Sequence, residues 1–155
     1  MKKFIISQNA LRRATARAEK LPLLNNSIRG GEGSLVAYIG EEVAKNVLNG
    51  QIKDTYDYDI VYQNTKVDVK TKERTVAPKP YYECSVADFN TKQDCDEYAF
   101  VSVLSTLKAA WYLGKISKLD FYKKAVFHRK GDIDPDNNFT FKADCYNIPI
   151  SLLNS

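Results

Sequence analysis

The stretch that most restricts the fold is residues 56–72, YDYDIVYQNTKVDVKTK, two runs of alternating side chains around a short polar break. This alternation has the period of a β-strand, and two such runs in close succession make a hairpin. Residues i and i+2 share a strand face, so Asp68, Lys70 and Lys72 point one way while Val67, Val69 and Thr71 point the other. The valines belong to a core. The charged face is either plain solvent surface or a site. If Asn64-Thr65 form a two-residue turn, residue 61 pairs with 68 and 59 with 70, which sets Asp59 opposite Lys70 and diagonal to Asp68. A three-residue turn pairs 62 with 66 and sends Asp59 to the opposite face.

Two carboxylates brought together repel, and a divalent cation removes the conflict. Oxygen ligands suit magnesium, which binds through one or two carboxylates, water and substrate phosphates. A lysine beside such a pair suits phosphate chemistry, where it holds an attacking water or neutralises charge building on phosphorus. The competing reading is an exposed hairpin with a cross-strand Asp-Lys pair, worth little energetically.

Around the hairpin the chain reads as a mixed α/β domain, a central β-sheet flanked by helices, in one unit spanning residues 1–155. SQNALRRATARAEKL is a helix capped by Ser7 or Asn9 and ended by Pro22, followed by a loop rich in Asn and Gly. Ser34 caps LVAYIGEEVAKNVLN and Gly50 closes it. On that helix Val36, Ile39, Val43, Ala44 and Val47 lie in an apolar arc, Glu41 borders the arc, and Glu42 points to solvent beside Lys45. YYECSV, YAFVSVL and AAWYLGKIS are strands, KLDFYKKAV is a short helix, and the tail is turns and edge strands.

Composition removes several classes of function. No apolar run reaches the roughly 20 residues that span a bilayer, and FII is too short for a secretory leader, so the expected location is the cytoplasm. Cys84, Cys95 and Cys145 are widely spaced with no C-x-x-C pair, which fits reduced thiols better than disulfides or zinc. A single histidine, His128, excludes multi-histidine zinc patterns, and no nucleophile motif accompanies it.

Charge is uneven. Residues 1–30 hold seven basic side chains, among them Arg12, Arg13 and Arg17, against the single acid Glu19, a balance of +6 in a chain of net +4. Such a basic segment fits a polyanionic partner, since phosphate contacts supply most non-specific nucleic-acid affinity. It fits a solvated helix rich in arginine equally well.

The order of a helix bearing Glu, then Asp, then Asp-x-Lys across a hairpin resembles the restriction-endonuclease-like, or PD-(D/E)XK, nuclease superfamily. The matching stretches are YIGE at 38–41, YDI at 58–60 and VDVK at 67–70, with CDEYAFVSV and YLGKI further along resembling small members, many of them phage-encoded. Tyr58 stands where the signature has proline, and Asp68 where glutamate is commoner. The resemblance implies magnesium, with manganese as substitute, on Asp59, Asp68 and the Val69 backbone carbonyl. It implies that Lys70 positions or activates the water and that Glu41 orients a water or a second metal. The implied activity is endonucleolytic hydrolysis of DNA, in a host cytoplasm if the gene is phage-borne. Arg12, Arg13, Arg17 and Lys72 would contact nucleic acid, and many relatives act as homodimers. Some relatives carry a polar active-site residue near the position of Gln93. A non-catalytic nucleic-acid-binding protein that keeps the fold is the alternative.

Overall fold

The computed structural model describes residues 1–20, 32–135 and 137–155. In chain order the elements are β1 (Lys2–Ile5), α1 (Gln8–Glu19), α2 (Glu32–Leu48), β2 (Gln51–Ile52), β3 (Ile60–Tyr62), β4 (Thr65–Arg74), β5 (Glu83–Ala87), β6 (Glu97–Leu104), β7 (Ala109–Ser117), α3 (Lys118–Lys124), β8 (Val126–His128) and β9 (Cys145–Pro149). A 3-10 turn, Asp88–Lys92, follows β5, and another, Ile150–Leu152, follows β9. The fold is mixed α/β. Its main sheet has six strands in the order β1-β7-β6-β4-β3-β2, with β4 and β6 parallel and the other neighbours antiparallel.

The hairpin forms around Gln63-Asn64, one residue earlier than the expected Asn64-Thr65 turn. Gln63 at φ 46° and Asn64 at φ 62° are both left-handed, as a type I′ turn requires, and that turn matches strand twist. Tyr62 therefore lies opposite Thr65 and Ile60 opposite Val67. The pairing ends at Ile60, and the Asp59 N–H donates to O of the same residue, Val67, at 2.9 Å, so Asp59 does not sit opposite Lys70 as expected. Asp59 meets Asp68 through its side chain at the strand end, not through a continued register.

Each face of the main sheet covers its own core. Val67 and Val69 of β4 join Ile60, Ala99, Val101 and Val103 beneath α2, which contributes Val36, Ile39, Val43 and Ala44. The other face carries Tyr98, Phe100, Leu113 and Ile116 against Phe121 of α3 and Val86 and Ile148 of a second sheet, order β5-β9-β8. The tail thus builds a covering layer of its own rather than loose edge strands. Strand β6 is buried on both faces, which accounts for its unbroken aromatic and β-branched run.

Three local expectations change. Residues 2–5 form strand β1 on β7, a stretch too short to show an alternation, and α1 packs on α2, so the basic N-terminal segment is part of the fold. Helix α2 begins at Glu32, so Ser34 lies inside it instead of capping it. At its far end Asn49 takes the left-handed conformation (φ 52°), while the Gly50 N–H donates to Lys45 O at 3.0 Å. Pro22 and most of the Asn/Gly-rich loop lie outside the described residues. Among the described residues no helix is long and apolar enough to cross a membrane.

Candidate active site

The site forms where β3 leaves β4. Strand β3 has three residues and β4 has ten, so the edge of β4 facing β3 outruns its partner. At that opening the backbone of residue 59 still donates to Val67 O at 2.9 Å, and the Asp59 carboxylate accepts the next free donor, Val69 N–H, at 2.7 Å. Asp59 is therefore a side-chain extension of the ladder. Its position follows from backbone hydrogen bonding as much as from chemistry. The Val69 carbonyl shares the orientation of its N–H along an extended strand, so it faces the same opening.

Two more carboxylates flank Asp59. Asp68 reaches it from β4 and Glu41 from α2, each within hydrogen-bonding reach. Burial pushes the Asp59 carboxyl up to about 8, and the charges of Glu41 and Asp68 add to that, against the Val69 N–H and Lys70. Burial also raises Asp68, opposed chiefly by Lys70, and raises Glu41, opposed by its hydrogen bond from Arg17. Three crowded acids cannot all ionise cheaply without added positive charge.

Two cations are built in. Lys70 Nζ lies 2.7 Å from Asp68 Oδ2, at angles outside hydrogen-bond geometry, so this buried oxygen has charge compensation but no directional donor. The same Nζ donates to Gln93 Oε1 at 3.3 Å. Gln93 is itself fixed, its Nε2 donating to Tyr56 O at 2.7 Å and its backbone carbonyl accepting from Lys118 Nζ. The other cation is Arg17, whose Nη2 donates to Glu41 Oε2 at 2.6 Å and to Asp54 Oδ1 at 2.5 Å. Its guanidinium lies 4.1 Å from the Tyr38 ring centroid.

The structure thus brings Glu41, Asp59, Asp68 and Lys70 into one cluster, and Lys72 lies two residues further along the same face. It sorts the basic helix differently from expectation. Arg17 is turned into the acid cluster, Arg13 donates to Glu42 at 3.1 Å, and Arg12 stays on the exposed side beside Asn9. Glu42, expected in solvent, is buried because α1 covers it. Lys118, and Arg17 as an internal counter-ion, escaped the sequence reading; Gln93 was singled out there by resemblance alone, without its contact to Lys70. For Arg17 the visible signal was its i, i+4 spacing from Arg13, which aligns both on one face of α1.

Metal fit rests on Asp59 and Asp68. They adjoin, and Asp68 Oδ2 is a buried oxygen with no hydrogen-bond donor. Among the described residues no group of three His, Cys, Asp or Glu side chains is set to hold a metal ion. A pair of carboxylates completed by water and substrate phosphate is nevertheless a sufficient set for magnesium. Compared with known proteins, the chain matches no family model, and no curated protein matches it.

Proposed function

We propose that this chain is a magnesium-dependent endonuclease of restriction-endonuclease-like fold that hydrolyses phosphodiester bonds of DNA. The observation that carries the reading is the meeting of Asp59, Asp68 and Lys70 at the opening between β3 and β4. A surface hairpin has no reason to bury two acids side by side at the cost of raising both.

Asp59 and Asp68, with the Val69 carbonyl, would hold the magnesium, which supplies Lewis acidity to the phosphate and to a bound water. Lys70, anchored between Asp68 and Gln93, presents an ammonium donor that orients the attacking water and offsets charge developing on phosphorus. Glu41, held by Arg17, orients a second water from the helix side. The water oxygen bonds to phosphorus in line with the departing 3′ oxygen, which takes up a proton. The products are a 5′-phosphate and a 3′-hydroxyl.

The test is nicking of supercoiled plasmid with magnesium or manganese, with EDTA as control. Asp68→Ala and Lys70→Ala are expected to lower cleavage at least 100-fold while the circular dichroism spectrum stays that of wild type. Unchanged cleavage in either variant would reject the assignment. Metal-independent DNA binding without cleavage by the wild type would favour the non-catalytic alternative.

A further inference from the structure

Beyond Asp68, the charged face of β4 continues into a cavity of about 170 Å³ between the main sheet and β5. Its floor is apolar, formed by Phe100, Leu113 and Cys84, and its basic wall is Lys70, Lys72 and Arg74. Among the described residues no carboxylate lines it. The three cations are not equivalent. Lys70 at one end is paired with Asp68. Arg74 at the other end donates to Ser102 Oγ at 2.8 Å and to Glu83 O at 3.1 Å, with Tyr82 beneath its guanidinium. Lys72, between them, makes no hydrogen bond or ion pair with any described residue.

A lysine crowded by a neighbouring arginine and left without an acceptor is poised for an anion. Lys72 is the exposed residue of β4, and partial desolvation together with the Arg74 charge presses its ammonium below the ordinary lysine value, a cost that a bound anion would remove. Same-face residues of a strand are about 6.6 Å apart. That step is of the order of the distance between neighbouring phosphates along one nucleic-acid strand. We infer that the Lys72 cavity is a phosphate subsite, taking the phosphate next to the one cleaved beside Lys70. This rests on the nuclease reading above, because that reading places the scissile phosphate. The subsite itself needs no metal, so it can be tested without cleavage.

The experiment compares wild type and Lys72→Gln in EDTA by fluorescence anisotropy of labelled single-stranded DNA across a salt series. Three probes are used: a circular strand, a linear strand with a 5′-phosphate and one without. Lys72→Gln is expected to weaken binding roughly 3-fold or more at low salt and to reduce the salt slope by about 0.7. Equal loss on all three probes supports an internal phosphodiester. Loss confined to the 5′-phosphorylated strand supports a chain-end phosphate in the same subsite. Wild-type affinity and slope on every probe would overturn the inference, as would an equal loss in Lys124→Gln, an exposed lysine of α3, which would reduce the effect to net charge. Absence of cleavage by the wild type would count against the nuclease reading and leave this binding result standing.

Discussion

Arg17 Nη2 lies 2.6 Å from Glu41 Oε2, so a helix that reads in sequence as a basic arm places its guanidinium among the acids of the candidate site. Only 9% of the Glu41 side chain and 18% of Arg17 are exposed. Burial pulls the guanidinium down, but the hydrogen bonds and charges of Glu41 and Asp54 outweigh it and leave Arg17 above its ordinary value. Removing Arg17 strands a buried carboxylate, so Arg17→Ala should cost about 3 kcal/mol in urea unfolding at neutral pH. In an Arg17→Ala/Glu41→Gln double variant, part of that loss should return, with a coupling of about 1–3 kcal/mol. Additive single effects would mean that the pair is only a contact of convenience.

The Asp59 carboxyl carries the opposite signature. Its folded-state value of about 8 lies above the unfolded value of 3.8, so between those limits the folded chain binds the extra proton. Stability of the metal-free protein therefore falls as pH rises from about 4 to about 8. Asp59→Asn removes the ionisation and keeps the shape. In EDTA at pH above 8 it should be more stable than wild type by about 1–3 kcal/mol, with the gap closing near the acid end. The same variant should not cleave. Thermal melts across pH, paired with plasmid nicking, check both halves. An Asp59→Asn protein that is less stable than wild type at high pH would show the carboxylate acting as a structural cap on Val69 N–H.

The alternation in 56–72 was enough to expect a hairpin with Asp68 and Lys70 on one face, whereas the face of Asp59 hung on the length of the turn. The turn itself was misplaced. Gln63 at positive φ has little local preference to announce it, and Asn64 serves the second turn position as readily as the first. Glu41 was legible from the helical arc, whereas Glu42 was not, since its burial comes from α1, an element with no sequence mark of where it docks. Arg17 and Gln93 share that difficulty: both are placed by contacts across distant stretches, Arg17 to Glu41 and Gln93 to Tyr56 and Lys70. Periodicity reports which face a residue is on, but it does not report its partner.

Gln93 offers a further test of how Lys70 is held. Its amide bridges Lys70 Nζ and Tyr56 O, so Gln93→Ala leaves the lysine tied only to Asp68. Loss of this tether should lower kcat about 10- to 100-fold with little change in KM, since the group positions a reacting partner and is not needed to bind the strand. Gln93→Glu should depress kcat further by drawing the ammonium away from Asp68. Steady-state cleavage of a labelled oligonucleotide measures the split, and a change confined to KM would place Gln93 in substrate binding.

Gly40, one residue before Glu41, sets how closely α2 approaches the sheet. A Cβ at this position would lie 1.9 Å from Thr71 Oγ1 and 2.9 Å from Thr71 Cβ, so no rotamer of Thr71 alone clears the way. Gly40→Ala gains helix propensity, yet the helix must lift from β4, and overpacking of this kind costs about 1–3 kcal/mol. Because Glu41 moves with the helix, cleavage should fall along with stability. The companion change is informative because Thr71 Oγ1 is buried without a hydrogen-bond partner. Thr71→Ala removes that unsatisfied hydroxyl and should be within about 1 kcal/mol of wild type on its own. Combined with Gly40→Ala it relieves the 1.9 Å clash but not the 2.9 Å one, so stability and cleavage should recover in part. Denaturation midpoints and nicking rates of the four proteins check this. Full wild-type behaviour in Gly40→Ala would show that α2 has room to spare, and that Glu41 is not held at the cluster by the helix–strand contact.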